Sequence, residues 1–94
     1  MTTGVSHTFG GNVVVMDMGT GRRWDLSPEM AEEGARKCEK AASHMASSAL
    51  LVIDCLDGRQ FRFGGDNDAL LKMADDLTAN AAEARLKAVQ PTQP

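Results

Sequence analysis

The residues whose type and placement could supply a nucleophile, a base or a metal ligand start with Cys38 and Cys55, His7 and His44, and two aspartates, Asp17 and Asp54, in matching sequence surroundings. A zinc site needs Cys, His or carboxylate ligands in close spacing, and these Cys and His residues fit no such pattern. Both cysteines fall on apolar faces, where a thiol behaves as a small hydrophobe. A nucleophile needs a base, and two His and two Cys with no convergent pattern give nothing to build one on. Asp17 and Asp54, equivalent in the two halves, are candidates to approach each other as a carboxylate pair of the kind that does acid–base work. Their expected role is a polar rim beside Arg23 and Gln60. Asp66-Asn67-Asp68 lacks the twelve-residue ligand set of a calcium loop and is expected to be a turn and helix cap. Gly19-Thr20-Gly21-Arg22 has glycines but not the strand–loop–helix context, with its Lys, of a phosphate loop. The expectation is a protein with no catalytic residue, no metal and no cofactor.

What positions these residues is a stretch that occurs twice. Residues 13–26 are answered by residues 50–63. Val15, Asp17, Gly21 and Arg22 recur as Val52, Asp54, Gly58 and Arg59. Each copy reads as an apolar strand, a Gly turn and a second strand of alternating side chains. A three-residue loop with its Gly in a left-handed conformation suits both copies. In the first, that register sets Val14, Met16, Met18, Trp24 and Leu26 on one face. Val13, Val15, Asp17, Arg23 and Asp25 fall on the other. In the second, Leu51, Ile53, Cys55, Phe61 and Phe63 share a face. Leu50, Val52, Asp54, Gln60 and Arg62 share its opposite.

Ser27-Pro28-Glu29 is a helix start: Ser caps free N–H groups, Pro fits the first turn, and Glu favours the positive end of the dipole. The helix is expected to reach about Ser47, with an apolar stripe of Met30, Gly34, Cys38, Ala41, Ala42 and Met45. A second helix is expected from about Ala69 to Ala88. Its stripe is Leu70, Met73, Ala74, Leu77, Ala81 and Ala84, extended by Leu86 and Val89. The fold class is therefore α+β, a ββαββα internal repeat. Its four-stranded antiparallel sheet has the order 2-1-3-4, with both helices on one face. Residues 12–89 form one domain, with repeat units 13–47 and 50–88. Residues 1–11, with His7 and Phe9, and residues 90–94 read as flexible tails.

Ninety-four residues suffice for one domain. A net charge of −3 and a pI near 5.2 disfavour general binding to nucleic-acid phosphate. The N-terminus lacks the basic-then-apolar form of a secretory signal, and no apolar run approaches the ~20 residues that span a bilayer. A cytoplasmic protein is expected, with reduced thiols and no membrane partner.

The uncovered sheet face is the expected contact surface. Val13, Val15, Leu50 and Val52 form its apolar middle, and Asp17, Arg23, Asp25, Asp54, Gln60 and Arg62 its polar rim. A homodimer through this face, or through the small-residue helix stripe, is the simplest use. The alternative is a nucleic-acid regulator using Arg22, Arg23, Arg59 and Arg62 at matching points of the two hairpins. The run Trp24-Asp25-Leu26-Ser27-Pro28-Glu29-Met30-Ala31-Glu32-Glu33-Gly34-Ala35-Arg36-Lys37 resembles a pattern of short phage and prophage accessory proteins. In these a strand ends in Leu-Ser/Thr-Pro-Glu before an Ala-rich helix. The resemblance covers about a third of the chain and transfers no functional residue. It implies a small non-enzymatic inhibitor that binds a larger protein complex, such as anti-CRISPR and other anti-defence proteins that act by steric occlusion.

Overall fold

A computed structural model describes residues 3–44 and 48–89. The expectations for residues 45–47 and for the 90–94 tail lie outside these. The element order is β1 (Thr3–Phe9), β2 (Asn12–Asp17), β3 (Arg23–Leu26), α1 (Pro28–His44), β4 (Ser48–Asp54), β5 (Gln60–Asp66) and α2 (Asn67–Val89). The fold is α+β, with two helices and antiparallel sheets.

The strands do not form one sheet of order 2-1-3-4. They form a three-stranded sheet, β1-β2-β3, and a separate ribbon, β4-β5. The slot beside β2 that was expected to hold β4 is taken by β1, within the segment expected to be a flexible tail. The reason is local. Gly10 and Gly11 both have positive φ, 59° and 86°, and link Phe9 to Asn12. That is the two-residue turn whose twist suits a hairpin. Closing so short a loop costs far less entropy than pairing strands more than thirty residues apart.

The two hairpins also differ by one residue. In the ribbon, Cys55 N–H donates to Arg59 O, and Gly58, with φ 87°, closes the expected three-residue loop. Ile53 faces Phe61 and Leu51 faces Phe63, as the sequence pattern predicts. In the first hairpin Asp17 N–H donates to Arg22 O, so the loop holds four residues, 18–21. Val15 then lies opposite Trp24 and Val13 opposite Leu26. The expected faces are exchanged: Val13 and Val15 join Trp24 and Leu26 in the core, and all of Val13, Val14 and Val15 are fully buried. Asp17 causes the extra residue. Its Oδ1 accepts the N–H groups of Gly19 and Thr20 and shapes the wider turn.

The helices begin where their caps stand. Ser27 Oγ accepts Met30 N–H, and Asp66 Oδ1 accepts Ala69 N–H. Helix α2 buries the whole expected stripe from Leu70 to Ala84, but Leu86 and Val89 are exposed. Helix α1 buries Ala31, Gly34, Ala35 and Cys38. The helices pack against each other, with α1 over β4 and α2 over β1. Arg85, near the end of α2, reaches Glu29 and Glu32 at the start of α1, so the helices run antiparallel. One core joins both sheets to both helices, from Trp24 and Leu26 to Phe61, Leu70 and Leu77. No helix among the described residues is long and apolar enough to cross a membrane.

Candidate contact surface

The expected site divides between two sheets and two sides. Val13 and Val15 are in the core, and Asp17 is a buried turn residue, 8% exposed. None of the three can face a partner. Asp54 lies on the outer row of the ribbon, where its Oδ1 accepts Gln60 Nε2 at 3.3 Å. The two aspartates therefore face opposite ways, Asp17 inward and Asp54 outward, and form no carboxylate pair. Among the described residues no three His, Cys, Asp or Glu side chains gather as a metal would require. Burial pushes the Cys38 thiol up to about 11, with the Glu39 charge adding to it. Cys55 is raised chiefly by burial as well. Neither is a thiolate at neutral pH.

The four arginines of the alternative reading are divided too. Arg23 pairs with Asp25 at 3.0 Å and lies over the Phe9 ring. Arg59 pairs with Asp57, whose carboxyl it holds below the usual range through its backbone N–H and its guanidinium. The same guanidinium donates to Arg23 O at 2.6 Å and lies over Trp24. Leu56 N–H donates to Asp25 O. These two bonds take the outward carbonyls of β3, so the ribbon's turn caps that sheet edge. Arg59 is thereby part of the joint between sheets. Only Arg22 and Arg62 of the four make no ion pair among the described residues.

What remains open is the outer face of the ribbon and the side of β4. Leu50 is 66% exposed and Val52 half-buried, with Arg62 directly opposite Val52. Sequence reasoning places these residues on one outward row because the ribbon's register follows from Gly58. It missed what stands beside them. A cleft of about 400 Å³ runs between β4 and the last turns of α1, floored by Ala41, Leu50, Leu51 and Val52 and rimmed by Lys37, Lys40 and His44. Lys37 Nζ donates to Val52 O at 3.4 Å. The helical spacing of Lys37, Lys40 and His44 was visible, but nothing in the sequence placed α1 alongside β4.

Compared with known protein families, curated proteins and solved structures, the chain matches none.

A second groove, of about 520 Å³, separates the open edges of β1 and β5 over α2. Gly4, Gly64, Phe63 and Met73 line it, and among the described residues the cation and anion at its rim, Lys72 and Asp76, pair with each other at 3.6 Å. Its described lining therefore offers no net charge to select a ligand.

Proposed function

We propose that this is a small non-enzymatic binding protein whose contact surface is the outer face of the β4-β5 ribbon. The observation that carries the reading is Leu50, a large apolar side chain two-thirds exposed beside Val52 and Arg62. An apolar centre with a charged rim is the usual form of a protein contact. The rest of the chain serves as a scaffold: the core, the helix pair and the capped β3 edge hold the ribbon rigid. Such a protein acts by occluding a surface of a larger partner. The phage-type resemblance of residues 24–37 supports an inhibitor of a host defence complex as its class, in the cytoplasm.

The nucleic-acid reading loses support, because Arg23 and Arg59 are spent on Asp25 and Asp57. The duplication reading draws its support from the matched ββα order of the two halves.

The test is differential capture from the cell of origin with tagged protein. A partner recovered with the wild type and with Thr78→Glu, but lost with Val52→Glu, supports the reading. A partner recovered equally with all three contradicts it, and so does recovery of none.

A further inference from the structure

Five of the ten Lys and Arg residues make no ion pair among the described residues: Arg22, Arg36, Lys37, Lys40 and Arg62. Two of the five, Lys37 and Lys40, rim the cleft beside β4 together with His44. Arg62 projects from the adjoining ribbon face, opposite Val52. The chain as a whole is acidic, so this is a local reversal of its charge. Glu33 and Glu39 are the nearest carboxylates on α1 by helical spacing, and neither lines the cleft.

The backbone adds direction. Cys55 and Arg59 form a hydrogen-bonded pair, and such pairs alternate along an antiparallel ladder. The N–H and C=O groups of Val52 and Leu50 therefore point away from β5, toward the cleft. Lys37 Nζ on Val52 O marks that direction. At 3.4 Å and exposed, it is a bond that a better donor displaces.

We propose that the cleft takes an extended acidic segment of a protein partner, added as a strand to β4, with an apolar side chain seated on Ala41, Leu50 and Val52. Main-chain hydrogen bonds would supply affinity, and side-chain pockets specificity. Lys37, freed from Val52, turns with Lys40 to the carboxylates of the segment. The charge pattern selects an acidic strand over a basic one. A single-stranded nucleic acid is disfavoured because, among the described residues, no Phe, Tyr or Trp lines the cleft as a platform for stacked bases. The inference rests on the contact reading above and names its partner's chemistry.

The experiment uses the full chain, labelled for amide NMR, and three fluorescent probes. One is a peptide of about six residues alternating Glu and Val. The second replaces each Glu by Lys, and the third is an oligothymidylate. The acidic peptide is expected to bind, to move the amides of Leu50, Val52 and residues 37–44, and to weaken with salt. The basic peptide should bind roughly tenfold more weakly, and a Lys37→Glu, Lys40→Glu double variant should reverse the order. Equal binding of both peptides, abolished by Leu50→Ser, overturns the charge selection and leaves the contact surface standing. Shifts confined to other elements overturn both. Preference for the oligonucleotide, or no binding of the acidic peptide, overturns the inference and leaves the surface to the capture experiment.

Discussion

Trp24 and Phe61 meet in the core with ring centroids 5.1 Å apart and planes inclined at 54°. They come from different sheets, and Arg59 lies over the Trp24 ring, 5.7 Å from its centroid. The pair stands 37 positions apart in sequence, while their cross-strand partners, Val15 and Ile53, stand 38 apart. That one-residue offset is absorbed by the longer first turn, and it decides which side chains face out.

Because Phe61 joins the two sheets, Phe61→Ala should cost about 3–5 kcal/mol in denaturant unfolding. Trp24 is the sole tryptophan, so its fluorescence reports the joint. Its emission should shift toward that of an exposed indole in the folded variant. An unchanged spectrum with unchanged stability would contradict the packing described.

At Gly34 helix α1 packs tightly on Ile53 of β4. A Cβ there would stand 2.7 Å from Ile53 Cδ1 and 3.2 Å from Cγ1. Gly34→Ala gains about 1 kcal/mol of helix propensity, against an overpacking cost of about 1–3 kcal/mol. The single variant is expected to be slightly less stable than wild type. In an Ile53→Val background, which lacks Cδ1, the same change should become stabilising. Additive effects across the cycle would show that the two residues do not touch.

Asp17 acts on the turn through one carboxylate oxygen. Asp17→Ala removes the acceptor for Gly19 and Thr20 N–H and should cost about 1–2 kcal/mol. Asp17→Asn keeps an acceptor and should recover most of that. Equal losses in the two variants would point to the charge instead of the turn.

The buried thiol sets an alkaline limit. Cys38 has its pKa raised from 9.0 to about 11, mainly by burial. Its contribution to stability is complete below pH 9 and is lost as pH rises through about 11, because the unfolded chain ionises first. Stability measured between these values should fall more steeply in wild type than in Cys38→Ala. A disulfide reagent at pH 8 should modify Cys38 only at the rate of unfolding.

The helices were legible because their caps and stripes are local. Ser27-Pro28-Glu29 marks one start, and the α2 stripe from Leu70 to Ala84 matches the buried set. The ribbon was legible because Leu56-Asp57-Gly58 allows one loop length. Gly19-Thr20-Gly21 allows more than one, and only the Asp17 side chain resolves it. Strand β1 escaped notice because Thr3–Phe9 has weak apolar alternation, although Gly10-Gly11 between two β-rich runs is itself a hairpin sign. At the site, Leu50, Val52 and Arg62 were legible from period alone. The cations beside them were not, because they sit on α1, and only tertiary packing brings that helix to β4.

The central claim is that the hairpins are one residue out of step, so that Val15 lies in the core and Val52 on the outer face. Thermal unfolding of Val15→Glu and Val52→Glu, followed by circular dichroism, tests it most directly. Val15→Glu should lose its cooperative transition, since it buries an unpaired carboxylate. Val52→Glu places its carboxylate opposite Arg62 and should melt within a few degrees of wild type, by about 1 kcal/mol or less. If the two variants melt alike, or if Val52→Glu is the one that unfolds, the register is wrong and the contact surface falls with it.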